Sequence, residues 1–176
     1  GKSTVGVLLA KRLGFSFIDV DIVIQEKEGK LLHEIIAEAG TDGFLEIEGR
    51  INSQITAAHA IIATGGSVVY EQNAMEHFKE IGKIVYLHVS YPILEQRLSD
   101  IKGRGVVLKD GQDLKALYEE RTPLYEKYAD IIVNLQMKND FYWLIKHFDD
   151  TMLDHIRNRF DKESGLTFIK HFTKLQ

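Results

Sequence analysis

The first four residues of the chain, Gly1-Lys2-Ser3-Thr4, have the types and the order that bind phosphate. They match the second half of the pattern G-x-x-x-x-G-K-[ST], in which backbone N–H groups at a helix N-terminus hold an anion. Lys2 would reach the β- and γ-phosphates of a nucleotide, and the Ser3 hydroxyl would bind Mg²⁺. A motif this short also occurs as a simple helix cap. Here it precedes a stretch with helical apolar spacing, which favours the phosphate site.

Two carboxylates, Asp19 and Asp21, follow at the end of a predicted strand over residues 15–20. Residues two apart in a strand share a side, and ligands of parallel α/β sheets bind at the carboxyl ends of the strands. One carboxylate could hold Mg²⁺ through water, while the other could orient or deprotonate a hydroxyl nucleophile. The alternative is structural, because Asp21 precedes a helical run and could be its N-cap.

Glycines and arginines later in the chain could complete a phosphate-transfer site. Gly65-Gly66 follows a buried strand, where glycine lets a ligand approach the backbone, although an ordinary tight turn is the alternative. Arg104 lies in a polar, glycine-containing loop over residues 102–112, which we predict to be a lid. Arg121 lies further along the chain. Both guanidinium groups suit phosphate or carboxylate, although a solvated surface position would also explain either one.

The elements that must position these residues alternate along the chain. Predicted strands cover 15–20, 60–64, 83–89 and 130–134. Predicted helices cover 3–13, 21–28, 31–39, 44–59, 73–80, 92–100, 113–128 and 139–159. Short apolar strands alternating with helices predict the α/β class, with a mostly parallel sheet covered on both faces.

Composition narrows the classes of function. The chain has 176 residues, a net charge of −4 and no cysteine. Absence of cysteine excludes disulfides, thiolate metal sites and cysteine nucleophiles, and it fits a reducing cytoplasm. The mildly acidic balance disfavours nucleic-acid binding, and no apolar run is long enough for a membrane span. We predict one domain over residues 1–160, followed by a tail over 161–176 that could form a short helix.

Several segments, taken together, resemble the shikimate kinase family in their order and spacing. They are GKSTVGVLLAKRLGFSFIDVD, EAGTDGFLEIE, IIATGGSVV, RLSDIKGRGVVL and ERTPLYEKYAD. The resemblance implies a three-layer kinase fold of the nucleoside-monophosphate-kinase type, with strand order 2-3-1-4-5. The first strand of that order would precede residue 1. Its absence would leave a gap in the middle of the sheet, and we expect about a dozen more residues upstream. The implied reaction transfers the γ-phosphoryl group of ATP to the 3-hydroxyl of shikimate.

The resemblance also assigns roles on the nucleotide side. Lys2 corresponds to the phosphate-loop lysine, Ser3 to the Mg²⁺ ligand and Asp19 to a carboxylate that holds Mg²⁺ through water. Arg104 corresponds to the lid arginine on the ATP phosphates, and Arg97 to an arginine beside adenine. Gly1 and Thr4 belong to the same phosphate-binding motif. ATP is thus the expected co-substrate and Mg²⁺ the expected cofactor.

On the acceptor side, the resemblance assigns Asp21 to the carboxylate that grips the substrate hydroxyls and could serve as base. Together with Lys2 and Arg104, Asp21 is expected to be catalytic. Gly65 and Gly66 correspond to the first two glycines of a triple-glycine substrate loop, and Arg121 to an arginine that binds the shikimate carboxylate.

Three departures from the family pattern concern the acceptor and the lid. Leu45 stands where the family has a second arginine for the substrate carboxylate, and Arg50 is poorly spaced to replace it. Ser67 replaces the third glycine. The lid reads Arg-Gly-Val-Val from Arg104, where the family has Arg-Pro-Leu-Leu, and the absence of proline predicts a more flexible lid.

These departures leave three functions open. The first is phosphorylation of shikimate, and the second is phosphorylation of a different small hydroxylated acceptor, because Leu45 breaks the carboxylate clamp. The third, from another class, is a non-catalytic nucleotide-binding module with a regulatory role. In each case we expect a cytoplasmic monomer that binds small molecules, with neither nucleic acid nor membrane as partner.

Overall fold

The computed structural model of the chain describes residues 2–99, 113–135 and 165–169; for 97–99 and 165–169 it describes the backbone alone. The helices are α1 (Lys2–Leu13), α2 (Val20–Glu28), α3 (Leu32–Asn52), α4 (Gln72–Ile81), α5 (Tyr91–Ser99) and α6 (Leu114–Tyr128). The strands are β1 (Ser16–Asp19), β2 (Ala60–Ala63), β3 (Gly82–His88), β4 (Ile131–Asn134) and β5 (Gly165–Ile169). A short 3₁₀ helix covers Gly66–Tyr70. The predicted helix over 139–159 lies outside the described residues.

The five strands form one sheet in the order β1-β2-β5-β3-β4, and every neighbouring pair is parallel. Alternate residues of the central strands point to opposite faces, as strand geometry requires. Ile61, Val85 and Leu87 pack with α1 on one face. Ile62, Ile84 and Tyr86 pack on the other with side chains of α2, α3, α4 and α6. These two cores confirm the predicted three-layer α/β fold.

Helix α3 contains a sharp break at Gly40, which has φ 70° and ψ −179°. A positive φ favours glycine, because a Cβ would clash with the backbone. The break agrees with the prediction of two separate helical stretches, 31–39 and 44–59. The second stretch ends at Asn52 rather than at residue 59 as predicted. Residues 55–59 instead form an irregular connection that leads into β2.

The C-terminal segment differs from its predicted form. Residues 165–169 form strand β5, whereas the sequence suggested a short helix or an appended tail. Strand β5 lies between β2 and β3, which is the central position that the family resemblance gives to a strand before residue 1. A later segment of the chain occupies that position in this structure. A domain boundary near residue 160 stays a prediction.

Within the described residues, no helix combines the length and the apolar character that crossing a bilayer would require.

The central position of β5 predicts a large effect of proline at Thr167, which is in register with Ile62 on one side and Ile84 on the other. Proline removes a backbone donor that an internal strand uses, so Thr167→Pro should lower the free energy of unfolding by ~1–3 kcal/mol. Thr167→Ala keeps that donor and serves as the matched control. Urea unfolding measures both variants. Equal stability of the two would show that residue 167 does not lie inside the sheet.

Candidate active site

Lys2 begins helix α1 and is buried, with 5% of its surface exposed. Burial lowers the pKa of its ammonium group, while the charges of Asp21, Asp19 and Glu48 oppose that shift. A lysine ammonium is strongly hydrated in water, so its burial is costly unless anions compensate it. Lys2 therefore lies where an additional anion, such as a phosphate, would be favoured.

Ser3 and Asp19 meet where α1 begins and β1 ends. The Ser3 hydroxyl donates a hydrogen bond to Asp19 Oδ2 at 2.7 Å. The other oxygen of this carboxylate, Oδ1, accepts the backbone N–H of Asp21 at 3.2 Å and caps α2. The cap is thus Asp19, and the alternative that made Asp21 the cap is wrong. The strand ends at Asp19, so Asp21 lies in the first turn of α2 rather than on a strand.

The Ser3–Asp19 pair fits a magnesium site. A hydroxyl and a carboxylate oxygen in contact are the hard donors that Mg²⁺ prefers, with water and phosphate supplying the other positions. Within the described ranges, no group of three or more His, Cys, Asp or Glu residues could hold a metal by itself. A cation here would depend on the nucleotide. Thr4, in the same turn of α1, is exposed.

Asp21 is the carboxylate with the chemistry of a base. Burial raises its pKa to about 6, the charge of Lys2 opposes this rise, and the charge of Asp19 adds to it. A carboxylate with a raised pKa accepts a proton more readily than an ordinary aspartate, yet it is largely ionised at neutral pH. Asp21 can therefore hold a hydroxyl group and take its proton.

Arg121 projects from α6 and is buried, with 6% of its surface exposed. Its Nε donates a hydrogen bond to the Tyr70 hydroxyl at 3.1 Å, and its guanidinium carbon lies 5.2 Å from the centre of the Tyr70 ring. The Tyr70 hydroxyl in turn donates to Glu120 at 2.8 Å. These contacts fix one edge of a planar cation that can bind two oxygens of an anion.

The loop after β2 places its two glycines against neighbouring side chains. The Tyr125 hydroxyl donates to the Gly66 carbonyl at 2.7 Å. A Cβ at Gly65 would overlap the Glu48 carboxylate, so the absence of a side chain lets that carboxylate approach the backbone. Glycine at position 65 therefore serves a close approach within the protein. Contact of either glycine with a ligand stays a prediction.

Leu45 and Arg50 both lie on α3. Leu45 is half-buried. Arg50 is exposed and donates to Glu28 at 2.7 Å, forming an ion pair at the surface. This pairing agrees with the expectation that Arg50 does not replace an arginine at position 45.

Three further residues of this site were not singled out from the sequence, namely Glu48, Tyr70 and Tyr125. Glu48 had a detectable signal, because it lies four residues after Phe44 and three before Ile51, both buried. A carboxylate in the apolar stripe of a helix is unusual and points to a specific partner. The tyrosines gave no such signal, because buried tyrosine is common.

Some predicted site residues fall outside the described part of the chain. Gly1, Arg104 and the loop 102–112 belong to this group. For Arg97, the backbone lies in α5 and the side chain is outside the description.

Glu48 predicts a pH dependence of stability. Burial raises its pKa from 4.5 to about 7, so the folded state holds the proton more tightly than the unfolded chain does. The resulting stabilisation is complete below pH 4.5 and is lost as the pH rises through about 7. The free energy of unfolding should therefore fall as the pH rises over this range. Glu48→Gln should make that fall smaller by roughly 1–3 kcal/mol.

The measurement is urea unfolding at several values between pH 5 and 8, with the exposed Glu46→Gln as control. Asp21 contributes a decline of the same sign, so the slope should shrink rather than vanish. An unchanged slope in Glu48→Gln would contradict the assignment.

Comparison with known proteins places this geometry in a family. The sequence model described as "Shikimate kinase" matches residues 1–157. The shikimate kinase of Persephonella marina is 32% identical over 142 residues, covering 80% of this chain and 86% of that protein. The shikimate kinase of Trichormus variabilis is 40% identical over 134 residues, covering 74% and 73%.

Solved structures of shikimate kinases are also similar to this chain. Shikimate kinase from Acinetobacter baumannii, determined in complex with shikimate, has a TM-score of 0.71 and 27% identity, covering 92% of this chain and 89% of that one. Shikimate kinase from Bacteroides thetaiotaomicron has a TM-score of 0.66 and 27% identity, covering 87% and 92%. The parallel sheet, the buried lysine at the start of α1 and these matches lead to one conclusion. The chain belongs to the shikimate kinase family.

Proposed function

We propose that this protein transfers the γ-phosphoryl group of ATP to a hydroxyl group of shikimate. The observation that carries the proposal is the convergence of the buried Lys2 and Arg121 with the half-buried Asp21, whose charges all act on Glu48. They supply a cation for phosphate, a base for a hydroxyl and a cation for a carboxylate. Shikimate carries both a hydroxyl group and a carboxylate, and family membership supports its choice as the acceptor.

Lys2 and Ser3 form the nucleotide side of the proposed site. Lys2, which burial deprives of water, would hold the β- and γ-phosphates and stabilise the charge that develops during transfer. Ser3 and Asp19 would hold Mg²⁺, which neutralises phosphate charge when bound. Gly1 and Thr4 complete the phosphate-binding motif.

Asp21 and Arg121 form the acceptor side of the proposed site. Asp21 would accept the proton of the substrate hydroxyl while the oxygen of that hydroxyl forms a bond to the γ-phosphorus. The bond between that phosphorus and the leaving oxygen of ADP breaks in the same transfer. Arg121, held by Tyr70, would bind the carboxylate of shikimate. Gly65 and Gly66 would let the acceptor ring approach the backbone.

Other assignments extend this proposal. We expect Arg104 to meet the ATP phosphates from a lid over residues 102–112, and Arg97 to lie beside adenine. Their support is the position of each arginine in the family pattern. We also expect the protein to act as a monomer in the cytoplasm, where its lack of cysteine fits a reducing environment.

A second function is favoured by one observation. Leu45 offers no charge where the family pattern has a second arginine. Among the described residues of the acceptor side, Arg121 is therefore the buried arginine that can bind a carboxylate. The same kinase chemistry on a hydroxylated acceptor with a weaker carboxylate requirement would fit this arrangement. A nucleotide-binding module without turnover fits less well, because the raised pKa of Asp21 suits a group that accepts a proton.

The test compares Asp21→Asn with Asp42→Asn in shikimate-dependent ADP release at saturating Mg-ATP. Asn keeps the shape of the side chain and cannot accept the proton. Asp21→Asn should therefore lower kcat about 10²–10⁴-fold, while the nucleotide affinity measured by calorimetry should change little. Asp42, exposed on α3, is the matched control and should leave kcat unchanged.

A kcat for Asp21→Asn close to that of the unsubstituted protein would contradict the role of this residue. ATP binding without any shikimate-dependent release by the unsubstituted protein would reject shikimate as acceptor and favour a different one.

A further inference from the structure

Glu48 is enclosed by the loop that follows β2. It projects from α3 with 1% of its surface exposed. The Ser67 hydroxyl donates a hydrogen bond to one carboxylate oxygen, and the Gly65 backbone packs closely against the other. The carboxylate thus connects both ends of the segment Gly65-Gly66-Ser67.

The same segment is held from a second direction. The Tyr125 hydroxyl donates to the Gly66 carbonyl, and Tyr125 lies on α6 one turn after Arg121. Tyr125 is buried and stacks on Tyr86 of β3, with ring centres 5.0 Å apart. The position of the loop relative to the Arg121 guanidinium therefore depends on two hydrogen bonds, one from Tyr125 and one from Ser67.

The charges that act on Glu48 come from three other helices. Lys2 on α1 and Arg121 on α6 attract its ionised form, whereas Asp21 on α2 repels it. A buried carboxylate needs hydrogen-bond donors in addition to nearby cations. Of the groups that affect its ionisation, Ser67 is the one that donates a hydrogen bond.

Position 45 is a place on α3 from which the side chain of a donor residue could reach the Glu48 carboxylate. Residues three apart on a helix share a face, and residues 45 and 48 lie beyond the break at Gly40. Leu45 has no donor to offer. An arginine at this position would lie one turn from the carboxylate and could form a charge-assisted pair with it.

We propose that residues 45 and 67 form a coupled pair that determines acceptor specificity, with the Ser67 hydroxyl supplying to Glu48 the hydrogen bond that Leu45 cannot. Ser67 and Glu48 act as positioning residues, because they set the acceptor loop opposite Arg121 rather than contact the reacting atoms. The specificity role rests on the proposed kinase function, whereas the pairing itself does not.

The experiment is a double-mutant cycle on the full chain with Ser67→Ala, Leu45→Arg and their combination. In the unsubstituted background, Ser67→Ala should raise the KM for shikimate about tenfold or more, because it removes a hydrogen bond to a charged group. In the Leu45→Arg background, the same change should alter KM less than about twofold, because the arginine replaces the lost donor. The KM for ATP should stay constant in all four proteins.

Urea unfolding of the same four proteins provides a readout that does not need activity. Ser67→Ala should lower the unfolding midpoint in the unsubstituted background and have a much smaller effect in the Leu45→Arg background. If Leu45→Arg does not fold, Leu45→Lys supplies a smaller cation for the same cycle.

Additive effects in unfolding would overturn the pairing. Additive effects on the KM for shikimate, or an equal rise in the KM for ATP, would overturn the role in acceptor specificity. Coupled unfolding in a protein that does not phosphorylate shikimate would support the pairing and contradict the proposed function alone.

Discussion

Charged side chains that lie together, buried or half-buried, near the carboxyl end of β1 are the constraint on which this site depends. Lys2, Asp21 and Glu48 all have pKa values shifted first of all by loss of water. Burial of a charge is costly unless opposite charges and hydrogen bonds compensate it. These residues and Arg121 come from four different helices, so the helices must meet at this edge of the sheet. Binding of phosphate and carboxylate would complete the compensation, which couples substrate binding to stability.

The sequence was informative where chemistry is encoded locally. The alternation of strands with helices predicted the fold. The Gly-Lys-Ser-Thr motif and the two aspartates after β1 predicted side chains that the structure brings together, and their roles stay a prediction. Contacts between distant segments could not be predicted in the same way. The hydrogen bonds Ser67–Glu48 and Tyr125–Gly66 join residues 19 and 59 positions apart and depend on the path of a loop. The true helix cap, Asp19 rather than Asp21, depended on where the strand ended.

Strand β5 shows the same limit for the fold. The segment Gly165–Ile169 is a short apolar run among polar residues, and such a run is compatible with a strand or a buried helix. Its place between β2 and β3 depends on which position of the sheet is available, and that is not a property of the segment itself. In that position, β5 pairs with β2 on one side and with β3 on the other, and so joins the two halves of the sheet.

The most direct test of this account is a calorimetric titration with shikimate and with its methyl ester, in the presence of a non-hydrolysable Mg-ATP analogue. In the proposed site, Arg121, buried and held by Tyr70, binds the carboxylate of shikimate. Loss of one partner of a buried charge pair costs about 2–5 kcal/mol, so the ester should bind at least ~30-fold more weakly than shikimate. Equal affinity for the two compounds would contradict the account, because Arg121 would then not face the acceptor carboxylate.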